Sequence, residues 1–185
     1  MGLDMSLYAH RSMVLEDNSI IDELKKFVTI PFPDAKLNNI RVEVMYWRKA
    51  NAIHNWFVNN CIDGVEWCKY TEVIISQLVE LKDICKEVID HSALISGKII
   101  EGCTYTKSAS GEITENVDMK DGYVILDPTF AKEHLPVADG FFFGSKDYDQ
   151  YYYENIVYTY EGLNAILSVD PVELRNWEFL YKAVW

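Results

Sequence analysis

A strand that runs directly into a helix, at residues 39–60, constrains the fold more than any other part of the chain. Apolar and polar residues alternate up to Trp47, and this period of two is typical of a strand with one buried face. From there to Asn60 the apolar residues recur at helical spacing. The polar positions of this helix are mainly Asn and His, which are mediocre helix formers, rather than Glu and Lys. We therefore interpret it as a candidate recognition surface.

The remaining pattern predicts one α+β domain over residues 1–185, with a mixed sheet packed by about three helices. The predicted strands are Leu3–Arg11, Asn39–Tyr46 and Trp177–Trp185. The predicted helices are Arg48–Asn60, Gln77–Asp90 with Ser76 as its N-cap, and Asp147–Val169 with a capping box of Asp147 and Gln150. We interpret residues 98–126 as a hairpin inserted into this domain, and residues 19–28 fit a short helix or a pair of strands.

Composition narrows the classes of partner. The net charge of −12 disfavours a direct grip on nucleic acid, because such binding needs a basic surface that displaces counterions. The same charge favours a partner protein with a basic surface. The four cysteines form no C-x-x-C pair and no zinc-ligand spacing with the histidines, so we predict reduced thiols and no metal site. Because neither a signal-peptide pattern nor an apolar run of about 18 residues is present, we predict a cytoplasmic protein with no membrane partner.

The first candidate binding segment is the start of the recognition helix. Arg48 and Lys49 fall in its predicted first turn, where backbone N–H groups attract phosphate and carboxylate. Spacing within a helix would also place four polar or aromatic side chains on one face, namely Trp47, Asn51, His54 and Asn55. The alternative is that the asparagines tie down neighbouring loops and that His54 is a core residue with a satisfied hydrogen bond.

The second candidate segment is a Gly- and aromatic-rich block at residues 140–153. Its glycines allow a tight turn or a close approach to a ligand. Its tyrosines could stack against a base and hydrogen-bond a ribose. The residues predicted to meet the ligand are Phe143, Gly144, Ser145, Tyr148 and Tyr152. The alternative is a buried apolar strand that leads into a helix packing its tyrosines against the core.

Catalytic and cofactor motifs are missing from the sequence. It contains no P-loop, no G-x-S-x-G, no H-E-x-x-H and no C-x-x-C. A hydrolytic or metal site could be assembled from Asp4, His10, His54 and Asp63, but their spacing gives it no support. We therefore expect no catalytic residues, no metal and no cofactor.

Three blocks carry a resemblance to a known family. They are Met1-Gly2-Leu3-Asp4-Met5, E-V-x-Y-W-R-K-A-N-x-I-H-N-W-F-V and G-F-F-F-G-S-x-x-Y-D-x-Y-Y-Y. Together with the terminal Trp they resemble a family of small proteins of unassigned activity that are encoded by phages and bacteria. The chain departs from this pattern at Ser6, where Tyr is expected, and Cys103–Leu126 looks like an insertion. The resemblance implies occurrence in a phage, and hence action in the host cytoplasm.

Three functional hypotheses follow. The first is a non-catalytic phage protein that counters host defence by sequestering a nucleotide-like small molecule. The second is an acidic inhibitor, similar to an anti-CRISPR protein, that occupies the nucleic-acid-binding groove of a basic host effector protein. The third is a small nucleotide hydrolase. The sequence leaves open whether the chain forms a homo-oligomer.

Overall fold

The computed structural model describes residues 2–12, 23, 26–27, 38–61, 68–108, 110–111, 113–140 and 143–185. The strands are β1 (Asp4–Ser12), β2 (Asn39–Arg48), β3 (Thr71–Val73), β4 (Leu94–Lys107), β5 (Ile113–Ile125) and β6 (Glu178–Val184). The helices are α1 (Asn51–Asn60), α2 (Ile75–Asp90), α3 (Thr129–His134), α4 (Gln150–Leu167) and α5 (Pro171–Leu174). The predicted α+β class is confirmed. The segment predicted at residues 19–28 lies outside the described residues apart from Glu23, Lys26 and Phe27.

The main sheet has four strands in the order β2-β1-β6-β3. The three strands predicted from the alternating pattern are therefore neighbours in one sheet, as expected. Each pairing is antiparallel, so the sheet is not mixed in strand direction. Direction reverses at every step across the sheet, so even its two edge strands, β2 and β3, run in opposite directions.

The core lies on one face of this sheet. Alternate residues of the two central strands are fully buried there, among them Met5, Leu7 and Tyr181. Helices α1, α2 and α4 add buried apolar residues to the same cluster. The three longest helices thus occupy the positions that the apolar spacing predicted.

The predicted helix starts need correction. Helix α2 is capped at Ile74 rather than Ser76, because the Gln77 side chain accepts a hydrogen bond from the Ile74 amide at 3.0 Å. Helix α4 is capped by Asp149, whose carboxylate accepts hydrogen bonds from the amides of Tyr151 and Tyr152. The predicted capping box of Asp147 and Gln150 is therefore wrong.

The hairpin of β4 and β5 forms a second, two-stranded sheet. It begins earlier than the predicted residue 98, because pairing continues from Lys98–Asp121 to Leu94–Ile125. Its base is held against the start of α4. The Ile125 amide donates to the Tyr148 carbonyl at 2.9 Å, and the Tyr123 amide donates to Gln150 Oε1 at 3.0 Å. The hairpin therefore stands beside the segment that contains the Gly- and aromatic-rich block.

Candidate functional site

The junction between β2 and α1 is a sharp bend at Lys49. This residue has φ of 58°, in the left-handed region that residues other than Gly seldom adopt. Its amide donates to the Leu3 carbonyl at 2.7 Å, and its carbonyl accepts from the Asn51 amide at 3.0 Å. These hydrogen bonds hold the bend, and the helix consequently starts at Asn51 rather than at Arg48. Such strained positions are enriched at binding and catalytic sites.

The Gly- and aromatic-rich block packs directly against this bend. Gly144 has φ of +93°, and a Cβ added to it would lie 3.0 Å from Lys49 Cβ and 3.2 Å from the Lys49 carbonyl oxygen. One residue later, the Ser145 carbonyl accepts a hydrogen bond from Asn51 Nδ2 at 2.8 Å. The two segments singled out in the sequence therefore meet in space, and glycine is the residue that permits the contact.

A cavity of about 1070 Å³ lies where these segments meet. Its lining includes six of the predicted site residues, namely Arg48, Lys49, Asn51, Gly144, Ser145 and Tyr152. The hairpin supplies another part of the lining through residues 100–103 of β4. Helix α4 contributes further residues, including its cap Asp149, Tyr151, Glu154 and Asn155. The volume suits a drug-sized or larger ligand, since such cavities typically measure about 300–1,000 Å³.

The other five predicted site residues lie outside the lining. Trp47 is 2% exposed and its Nε1 donates to Thr159 Oγ1 at 2.9 Å. It belongs to β2 rather than to the helix, so the strand alternation turns it to the core. Asn55 Nδ2 donates to the Pro136 carbonyl at 3.1 Å, and the Tyr148 hydroxyl accepts from the Val137 amide at 3.3 Å. Both side chains hold the loop after α3.

His54 forms part of a buried aromatic cluster. It is 3% exposed, and its Nδ1 lies 2.9 Å from the Tyr181 hydroxyl. The rings of Phe143 and Trp185 pack against it with centroids 5.1 and 5.2 Å away. Burial lowers the pKa of His54 to about 4, so the imidazole is neutral at pH 7. The geometry agrees with the alternative that His54 is a core residue with a hydrogen bond. Phe143 packs against His54 in the same cluster and therefore also lies outside the cavity lining.

The cationic side chains of the lining differ in whether they have an ion-pair partner. Lys146 Nζ lies 2.5 Å from Asp139 Oδ1. Arg48 Nε is 4.0 Å from Asp4 Oδ1, and the Arg48 side chain is 61% exposed. Lys49 makes no ion pair with any residue in the described part of the chain. The cations best placed to receive an anion are therefore Arg48 and Lys49.

Sequence reasoning missed three kinds of contributor to the cavity. Tyr151 and Asp149 lay inside the recognised block, but the wrongly placed cap hid the role of Asp149. Glu154 and Asn155 follow Tyr151 at helical spacing, which is the signal that could have found them. No sequence signal points to the residues from β4. The hairpin is positioned at the cavity by a long-range contact, the bridge that joins Val124 to Asp149.

The structure shows no metal centre in its described part: no three His, Cys, Asp or Glu side chains there lie close enough to hold an ion. Within the same residues, no helix has the length and apolar character that crossing a membrane requires. Comparison with protein families, with curated proteins and with solved structures finds no match to this chain.

The contact between Gly144 and Lys49 gives a first prediction. We expect Gly144→Ala to lower the free energy of unfolding by more than the roughly 1–2 kcal/mol that a left-handed Ala costs, because its Cβ also meets Lys49. The matched control is Gly111→Ala, since Gly111 has φ of +88° with nothing within 4 Å of an added Cβ. Urea unfolding of both variants measures the difference. Equal losses would mean that the close approach to Lys49 contributes nothing.

Proposed function

We propose that this protein is a non-catalytic binding protein whose cavity holds a nucleotide-like small molecule. The single observation that carries the proposal is the cavity of about 1070 Å³ formed where the Lys49 bend meets Gly144. A cavity of this size selects its ligand through polar and aromatic groups placed at different positions of its lining. This cavity has a cationic part and an aromatic part.

The cationic part suits a phosphate. Arg48 and Lys49 both line the cavity, and the weak contact between Arg48 and Asp4 across 4.0 Å costs little to replace. A guanidinium can bind phosphate oxygens through two parallel hydrogen bonds, while an ammonium acts as a point charge. Two such groups at one bend form the part of the lining that an anion would select.

The aromatic part suits a base. Tyr151 and Tyr152 both line the cavity at the start of α4. Tyr151 is 40% exposed, with Lys120 Nζ 5.7 Å from its ring centroid, whereas Tyr152 is 6% exposed and its hydroxyl donates to the Leu135 carbonyl at 3.0 Å. Tyr151 is thus the better stacking platform, and Tyr152 forms the fixed wall behind it.

The biological role that we propose is sequestration. The three sequence blocks resemble proteins encoded by phages, and a phage protein that holds a nucleotide-like signal in the host cytoplasm would counter a defence that depends on this signal. The proposal of a non-catalytic role rests on the lack of a recognisable nucleophile–base pair in the sequence. The hypothesis of an acidic inhibitor rests on a different observation, the net charge of −12, and the hypothesis of a nucleotide hydrolase has no feature of its own.

Mass spectrometry of molecules released when the purified protein is denatured tests the proposal. We expect an intact nucleotide-like anion. Absence of any ligand, together with tight binding to a nucleic-acid-handling effector, would instead support the acidic inhibitor. Turnover of added nucleotide would support the hydrolase.

Arg48 provides a second prediction. A charge-assisted hydrogen bond from its guanidinium contributes about 1.5–3 kcal/mol, so Arg48→Ala should weaken binding of the released ligand about ten- to a hundredfold. The melting temperature should change little, because the side chain is 61% exposed. Titration calorimetry measures the affinity. Arg175→Ala, which removes an exposed cation outside the cavity lining, is the control. Unchanged affinity in Arg48→Ala would place the ligand elsewhere.

A further inference from the structure

In one carboxylate of the cavity lining, only one of the two oxygens accepts hydrogen bonds. Asp149 is 1% exposed, and its Oδ1 accepts hydrogen bonds from the amides of Tyr151 and Tyr152 at 2.9 and 3.1 Å. Its Oδ2 is buried and has no hydrogen-bond partner within the described part of the chain. Buried carboxylate oxygens are seldom left in this condition, because the loss of hydration is then uncompensated. The second oxygen therefore calls for a donor.

Helix capping does not account for this second oxygen. The cap of α4 uses Oδ1 alone, and Ser, Thr or Asn would provide the same single acceptor without a buried charge. Burial raises the pKa of Asp149, so the carboxylate is retained at this position against its own desolvation cost. A buried charge lowers stability, and a neutral residue could cap this helix equally well. A charged residue at such a position is therefore a candidate for a functional role.

The position of Asp149 connects it to the proposed ligand. It lines the same cavity as Arg48 and Lys49 and lies two residues before Tyr151, the first of the tyrosines of α4. The Asp149 backbone also pairs with Val124 at the base of the hairpin, so the cap is held from two directions. Oδ2 is itself buried, so a ligand donor reaches it only when the atoms that cover it move aside.

We propose that Asp149 Oδ2 accepts a hydrogen bond from an exocyclic amino group of the ligand, which makes the ligand a phosphate-bearing nucleotide with an amino-substituted base. This inference rests on the proposed function. A carboxylate is a good acceptor for a base amino group and repels a carbonyl oxygen at the same position. Arg48 and Lys49 then hold the phosphate, while Asp149 selects the base.

The test compares ADP with IDP, in which a carbonyl oxygen replaces the amino group at position 6 of the purine and the neighbouring N1 carries a proton. Pyrophosphate serves as a probe of the cationic part alone. Calorimetry at pH 7.5 should give ADP an affinity at least about tenfold above that of IDP for the wild-type protein, because a buried acceptor discriminates against a ligand that presents an oxygen at position 6 in place of the donor. Pyrophosphate should bind in competition with both.

The variant Asp149→Asn exchanges the acceptor at this position for an amide that can donate, and it keeps the cap of α4. We expect it to lose the preference for ADP or to prefer IDP, while its affinity for pyrophosphate stays within about twofold of the wild type. Asp118→Asn, which removes an exposed carboxylate outside the cavity lining, is the control and should keep the preference.

The outcomes separate this inference from the proposed function. Equal affinity of the wild-type protein for ADP and IDP, or a preference for IDP, would overturn the role of Asp149 and leave the nucleotide cavity standing. Failure of ADP, IDP and pyrophosphate to bind would overturn both. A preference for ADP that persists in Asp149→Asn would assign the selection to another residue. Because the comparison of ADP with IDP is made first on the wild-type protein, it does not depend on how well the variant folds.

Discussion

Replacement of Trp47 by alanine should lower the free energy of unfolding by about 3–5 kcal/mol, the usual cost of removing a large aromatic side chain from a core. Trp47 is 2% exposed and packs edge-on against Phe57, with ring centroids 6.1 Å apart. Its Nε1 donates to Thr159 Oγ1, and this hydroxyl in turn donates to the Asn155 carbonyl of the preceding helical turn. The indole therefore joins β2 to α4, and its loss should loosen the helix that carries one side of the cavity.

Tyr46→Ala is the matched control for Trp47→Ala. Tyr46 is the preceding residue of the same strand, but it points to the opposite face of the sheet and is 45% exposed. Its hydroxyl donates to the Asp4 carboxylate at the surface, so its removal should cost about 1–2 kcal/mol, which is well below the cost of Trp47→Ala. Urea unfolding followed by circular dichroism measures both variants. If Trp47→Ala does not fold, Trp47→Phe should still lose stability through the hydrogen bond to Thr159. Similar stabilities for the Trp47 and Tyr46 variants would contradict the structural role of Trp47.

The regular parts of the fold could be predicted because each rests on a short-range pattern. The alternation in Leu3–Arg11 and in Trp177–Trp185 marks one buried face, and strands with such faces pair side by side. The apolar spacing of α2 gives its length to within two residues at its start and none at its end. These patterns depend only on residues that are close in sequence, so they can be recognised without the tertiary structure.

The junctions could not be predicted, since long-range contacts decide them. The sequence suggests that the helix begins at Arg48, but hydrogen bonding to Leu3 holds Lys49 in a left-handed bend. This shift of three residues leaves Trp47 in β2, which explains why Trp47 does not share a surface with Asn51. At the start of α4, Asp149 rather than Asp147 is the cap, and the Asp149 backbone forms a bridge to the hairpin. The cavity lies between these two junctions, so its composition was the least predictable feature.

His54 carries the second prediction with a large effect, a loss of stability in acid. The pKa of His54 falls from an ordinary 6.5 to about 4 in the folded protein, because burial penalises the imidazolium. The unfolded chain thus binds more protons between these two values, and stability must fall as the pH drops from about 6.5 towards 4. Above pH 6.5 the imidazole is neutral in both states and contributes no slope. Over the whole window the loss amounts to up to about 3 kcal/mol, since one pKa unit corresponds to about 1.4 kcal/mol.

His54→Gln isolates this contribution, because Gln stays neutral and can still hydrogen-bond the Tyr181 hydroxyl. Urea unfolding at several pH values between 7.5 and 4.5 should show a wild-type stability that falls more steeply than that of the variant. The comparison is needed because the raised pKa of Asp149 acts in the opposite direction and favours the folded state as the pH falls. This effect is common to both proteins and cancels in the difference. Parallel profiles for wild type and His54→Gln would mean that His54 is charged or solvated in the folded protein, and the buried cluster of His54, Phe143 and Trp185 would then have to open.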